Sequence, residues 1–332
     1  MRIVLFIGLI FLSVSCVPEA VIDYSLTRVP EESGLNFVQY TEDDDNTTGP
    51  LIRESQGKIN WYAPPLISIS PDGGKLAYNG FKDNQNNIFV KSTVGGSSVV
   101  QRTFRNNVLD MSFSPDGERI VFTDATDQGQ HIKMINTNSG SAIQQITSGS
   151  RQDVGPQFSP DGDNIFFTRS TRRRDGAGLE YQSFIIWSFN LESSLFTQYS
   201  DGFTPNISSD GKELVITRNN GSTGFGEIWK LNIDSGQETL ILGDSKRGFS
   251  SPQISPDGNT IVIVGSTEET GSRPANLDIY TVRMDGTGLT QHTFHPGHDV
   301  SPVWSPNGEH LYVLSQRGSE TGSFNVWRMN LQ

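Results

Sequence analysis

Ser114, Asp116 and Gly117 place a hydroxyl, a carboxylate and a flexible residue just ahead of an apolar run in SPDGERIVF. A carboxylate so placed can act as a general acid or base. Other residue sets suggest other chemistry. His292, His295 and His298 in HTFHPGHD are three of the five histidines, and imidazole binds zinc and related metals well. They do not have to converge: His292 falls on an outer strand, the other two in a loop. Asp43, Asp45, Thr47 and Glu54 space their oxygens as a calcium loop does, yet Thr48 stands where such a loop needs glycine. This stretch reads as a solvated acidic insertion. RSTRRRDG reads as a basic loop between the second and third strands, in which Arg172 and Arg173 offer guanidinium forks to carboxylate or phosphate. No nucleophile elbow, P-loop or zinc-protease helix motif occurs in the sequence.

The Asp116 cluster loses its catalytic reading on stepping back, because it recurs. The same stretch starts at Ser70, Ser114, Ser159, Ser208, Ser255 and Ser305, and its acidic or amide position falls at Asp72, Asp116, Asp161, Asp210, Asp257 and Asn307. Steps of 44 to 50 residues suit one four-stranded propeller blade per repeat. Pro sets the second position of a type I turn, Asp the third, and Gly the left-handed residue that closes the hairpin. Asn307 would make the same turn and be a poor acid or base. Apolar residues before each turn (Ile69, Phe113, Phe158, Ile207, Ile254, Trp304) and after it (Ile120, Val121, Phe122) predict strands, the second buried on both faces. A fourth strand carries Gln-x-Thr/Ser at Gln101, Gln145, Gln198 and Gln291. The last repeat lacks its own, and Gln39 to Thr41 supplies the signature near the front. The expectation is an all-β, six-bladed propeller over residues 35–332, closed by a strand at about 35–41, which removes two sheet edges.

The stretch from Asp278 to Gly318, with its Pro-x-Trp-Ser-Pro run (Pro302 to Pro306), its Ile-Tyr strand and the Asp-Gly turn after it, resembles the repeats of the TolB C-terminal propeller and its WD-repeat relatives. The resemblance covers about residues 35 to 332 and implies a propeller; for function it is weak, because such repeats serve scaffolds, sensors and enzymes alike. The sequence leaves no room for the α/β domain that precedes the propeller in TolB.

The start, MRIVLFIGLIFLSVSC, has one basic residue and an apolar run too short to span a bilayer, as in a signal peptide over residues 1–15. Its end resembles the bacterial lipobox, which implies a lipid on Cys16, the only cysteine. Residues 16–34 then read as the lipidated N-terminus and a mostly flexible tether. Val17 after the cysteine implies sorting to the outer membrane, facing the periplasm or the exterior. Formal charge is −12, which repels phosphate backbones and argues against nucleic acid as a partner.

Propeller ligands commonly dock around the channel mouth, on the face opposite the SPDG turns. Candidates there are Trp61, Tyr62, Asp110, Asp153, Arg172, Arg173, Arg247, His298 and Asp299. No catalytic residue, metal or cofactor is expected. The reading is an envelope-anchored, non-catalytic binding or scaffolding lipoprotein whose partner is an envelope protein or a small or oligosaccharide ligand. The alternative is a carbohydrate-active hydrolase or lyase at the channel mouth, which two carboxylates facing across the channel would mark.

Overall fold

The computed structural model describes residues 22–42, 47–49, 53–55, 58–60, 65–94, 98–104, 106–138, 142–174, 180–266 and 276–331. Apart from one 3-10 turn, Pro30–Glu32, its regular elements are strands. They form propeller-like antiparallel sheets. Ile67–Ile69, Lys75–Lys82, Gln85–Ser92 and Val99–Gln101 are neighbours in that order. The same meander runs from Phe203–Ile207 to Glu238–Leu242 and from Phe249–Ile254 to Thr290–Gln291. The repeats starting at Val108–Phe113 and Gln152–Phe158 follow it too, but a parallel contact, Gln130 with Gln152, joins them into one sheet. The strand that should separate them, Gln144–Gln145, is only two residues long and leaves part of its neighbour's edge open.

The second strand of each repeat is buried on both faces, as expected: Leu76 to Tyr78, Ile120 to Phe122, Ile165 to Phe167, Leu214 to Ile216, Ile261 to Val264 and Leu311 to Leu314. Each such side chain removed from water contributes about 1.5–3 kcal/mol. The cores lie between sheets. Leu66, Ile67, Leu76 and Tyr78 of the first described meander share one cluster with Val300, Leu311 and Val326 of the last.

The turns are built as expected, with a part for serine that the sequence reading missed. Ser70 Oγ donates to Asp72 Oδ1 at 2.5 Å and accepts the Lys75 N–H at 2.8 Å, while Asp72 Oδ1 also accepts the Gly74 N–H. Ser114, Ser159, Ser208, Ser255 and Ser305 repeat the pattern. The glycines stand at φ 70 to 79°, the left-handed region that only glycine enters freely. The serine hydroxyls hold Asp72, Asp161, Asp210 and Asp257 below the usual carboxylate range. For Asp116, burial pulls upward, but Ser114, the Glu118 N–H and Arg119 together win. These are ionised turn formers.

The Gln-x-Thr signature also finds its reason. Thr103, Thr147 and Thr293 are buried, and each hydroxyl accepts a backbone N–H of the third strand: Ile88, Ile132 and Ile279. Thr41 does the same for Val326 at 2.8 Å. Phe37–Gln39 lies antiparallel to Asn325–Asn330, with Phe37 opposite Met329 and Gln39 opposite Trp327, as fourth strand of the last sheet.

Two segments depart from the sequence reading. Part of the expected tether is docked. Glu32 is buried, and its carboxylate meets Arg317 at 3.0 Å; Arg317 also meets Asp299 at 2.8 Å and lies 3.7 Å from the Phe37 ring centroid. A Cβ on Gly297 would come within 2.9 Å of the Tyr24 ring, so glycine there is what lets the strap seat. The segment reads as linker because Glu32 finds its partner 285 residues away. The basic run around Arg172 and Arg173 is strand rather than loop: Asn164–Arg174 pairs with Glu180–Asn190 out to Arg174 opposite Glu180.

Candidate functional site

The first strands of successive repeats line a cavity of about 240 Å³. Its wall takes Ile67, Ser68 and Ile69 from one repeat, Met111 to Phe113 from the next, then Gln157 and Phe158, Ile207, Gln253 and Val303. Pro71, Pro115 and Pro160 bound it, so it lies toward the face that carries the SPDG turns. The candidates were sought at the other end. Among the described residues, none that lines it is charged.

The position two residues before each turn serine supplies polar side chains to this wall. It holds Ser68, Ser112, Gln157, Asn206, Gln253 and Val303, of which all but Asn206 line the cavity. Asn206 sits between the two glutamines. Its Nδ2 donates to Gln157 Oε1 at 3.1 Å and to Gln253 Oε1 at 2.9 Å, and its Oδ1 accepts the Ile254 N–H at 2.8 Å. The Ser68 hydroxyl accepts the Phe113 N–H at 3.0 Å. The signal for this ring was present in the repeat alignment, but the sequence reading stopped one position short, at the apolar residue before each serine.

Of the nine candidates, Asp110, Asp153, Arg247, His298 and Asp299 do not line the cavity. Trp61 and Tyr62 lie outside the described residues, and the side chains of Arg172 and Arg173 are likewise not described. Asp153 is buried in a two-pronged pair with Arg169, 2.7 and 2.9 Å, and that guanidinium lies over the rings of Phe167, Trp187 and Phe196. Asp299 is held by Arg317. Arg247 pairs with Asp244 near the surface and lies over Phe249. His298 Nδ1 accepts the Leu277 N–H at 3.2 Å, and burial brings its pKa down to about 4. His292 meets Thr281, and His295 bonds the Leu26 carbonyl of the strap, so the three histidines serve separate partners.

Asp110 is fully buried where the other repeats carry Leu66, Gly155, Thr204, Ser251 and Ser301. One carboxylate oxygen accepts the Gly155 N–H at 3.1 Å; the other, with Thr123 Oγ1 beside it, has no partner in hydrogen-bond geometry. Desolvation raises its pKa to about 6.

Repeated four-stranded meanders whose first strands line one cavity define a propeller-type all-β repeat protein. The family model of the TolB beta propeller domain matches residues 54–273, more than half of the chain, and the chain belongs to that family. An uncharacterized protein of Agrobacterium fabrum is 31% identical over 146 residues, 41% of this chain and 49% of the relative. The Tol-Pal system protein TolB of Francisella tularensis is 29% identical over 139 residues, 41% of this chain and 30% of the relative. The matches thus span half or less of these curated relatives. The crystal structure of TolB from Acinetobacter baumannii superposes with a TM-score of 0.58 at 19% identity, covering 78% of this chain and 64% of that one, a likeness of fold.

Proposed function

We propose that this chain is an envelope-anchored, non-catalytic binding module: a propeller of six four-stranded blades over residues 35–332, closed by Phe37–Gln39, that takes a protein or small ligand on its axis. Closure is supported by the order of turn packing. Pro71 lies against Gly117, Pro115 against Gly162, Pro160 against Gly211 and Pro256 against Gly308; Ser209 reaches the Pro256 carbonyl, and Pro306 returns to Gly73. The anchor rests on Cys16 at the end of the apolar leader, and the envelope setting on that leader and on relatives named for the Tol-Pal system.

The observation that carries the binding reading is the cavity wall: hydrogen-bonding side chains and, among the described residues, no acid and no base. The carboxylates that could have served a hydrolase or lyase, Asp110, Asp153 and Asp299, are buried instead among contacts between and within blades. Trp61, Tyr62, Arg172, Arg173 and Arg247 remain the proposed contacts of a protein partner on the face opposite the turns. The test is photo-crosslinking in intact envelopes, with the crosslinker at Ser112 on the channel wall or at Thr197 on an outer strand. A specific adduct from the Ser112 position alone is expected. Equal adducts from both positions, or none from Ser112, would sink the reading.

A further inference from the structure

We propose that the axial channel selects a small neutral ligand presenting hydrogen-bond acceptors, because the protein backbone fixes its polar wall as a set of amide donors. This rests on the channel being the binding site. The argument starts from Ile254. A backbone N–H can only donate, so the Asn206 atom 2.8 Å from it is the carbonyl oxygen. Asn206 therefore turns its NH2 group toward both glutamines, at 3.1 and 2.9 Å. An NH2 group can only donate, so Gln157 and Gln253 must each present Oε1 to it. Each then turns its own NH2 group away from Asn206, on side chains that line the cavity. One main-chain N–H thereby sets the polarity of three side chains, none of which can flip without leaving two like groups facing each other.

Of the two wall serines, Ser68 adds a donor and Ser112 does not. Ser68 Oγ accepts the Phe113 N–H, which leaves its own O–H to donate, whereas the Ser112 hydroxyl donates to the Phe113 carbonyl at 3.2 Å. The channel thus offers amide N–H groups from two sides and a hydroxyl from a third, against apolar surface from Ile67, Met111, Phe158 and Val303. A cation would meet the donors of Gln157, Gln253 and Ser68, and as acceptors only hydroxyl oxygens such as Ser112 Oγ. An anion would find donors but, among the described residues, no positive side chain, in a protein of formal charge −12. A volume of about 240 Å³ is that of roughly eight liquid waters, enough for a ligand of sugar or small-amide size. The class that fits is a neutral carbonyl compound with an apolar flank.

The test reads the side-chain NH2 signals of Gln157 and Gln253 in proton–nitrogen spectra of the labelled full-length protein, assigned with Gln157→Ala and Gln253→Ala. Three probes are titrated: N,N-dimethylacetamide, a neutral acceptor; methylammonium, a cationic donor; and acetate, an anion. Dimethylacetamide should shift both NH2 pairs saturably, with little response to the other two. Asn206→Asp should invert the preference. Its carboxylate still accepts from Ile254, but its other oxygen now calls the glutamine NH2 groups toward itself and turns their carbonyls to the channel. Dimethylacetamide should then weaken by at least about tenfold and methylammonium should bind. A wild-type channel that prefers methylammonium or acetate overturns the donor assignment while leaving the channel a binding site; an unchanged preference in Asn206→Asp does the same. Shifts from none of the probes overturn both this assignment and the channel-binding reading. The wild-type comparison decides the matter even where Asn206→Asp does not fold.

Discussion

Asp110 carries a cost that its neighbours in the repeat do not. The same position holds Leu66, Gly155, Thr204, Ser251 or Ser301 elsewhere, so the sequence shows one acid among uncharged residues but not that it is sealed from water. An acid whose folded pKa, about 6, stands above its ordinary 3.8 is better accommodated protonated. Its contribution therefore falls as pH rises from about 4 to 6 and stays low above that, by up to about 3 kcal/mol. Asp110→Asn keeps an acceptor for the Gly155 N–H and turns the orphan oxygen into a donor for Thr123 Oγ1, itself without a partner. The variant should be about 1–3 kcal/mol more stable than the parent at pH 7 and no more stable below pH 4. His298 works with the opposite sign. A base held at about 4, below its ordinary 6.5, gives stability that is lost as pH falls through that window. The two terms oppose each other in the parent, so Asp110→Asn should uncover a loss of stability on acidification. Urea unfolding at pH 4, 5.5 and 7 reads all of this, and a variant weaker than the parent at pH 7 would refute the account of Asp110.

At the scale of elements, what was legible is what repeats. Turns and second strands declare themselves six times, and Gln39 to Thr41 could be matched to a strand at the far end because Thr41 repeats the hydrogen bond of Thr103, Thr147 and Thr293. What occurs once was not legible. Neither the seat of residues 24–32 nor the extension of Asn164–Arg174 has a copy elsewhere in the chain to reveal it. The strap makes an ordered prediction. Arg317 lies buried between two carboxylates, so Arg317→Leu strands Glu32 and Asp299 without a counter-charge and should cost about 3–5 kcal/mol. Glu32→Ala leaves the Arg317–Asp299 pair intact and strips the Phe294 N–H of its acceptor, a smaller loss of about 1–3 kcal/mol. Deleting residues 35–41 removes the Phe37–Gln39 pairing and the Thr41 bond, which opens a sheet edge and should cause aggregation. Thermal unfolding of the three variants tests the order. A Glu32→Ala protein as stable as the parent would mean that the strap is not seated as described.

At the scale of the whole molecule, the docked strap changes what the proposed anchor does. If Cys16 carries the lipid and the strap is seated from Tyr24 onward, only residues 17–23 separate membrane and propeller. Seven residues, even fully extended, reach about 25 Å. The last sheet, where the strap seats, would then be held near the lipid surface rather than hanging on a long tether. Cys16→Ser should abolish lipid labelling and move the protein from the membrane to the soluble fraction. It should leave the unfolding midpoint unchanged, because the contacts that seat the strap begin beyond it. A flexible insertion between residues 20 and 21 should keep lipid labelling while lowering the yield of crosslinks from the Tyr24 region to lipid head groups. Two results would count against this arrangement: continued incorporation of labelled lipid by Cys16→Ser, which removes the anchor, or head-group crosslinks insensitive to the insertion, which removes the close approach while leaving the anchor standing.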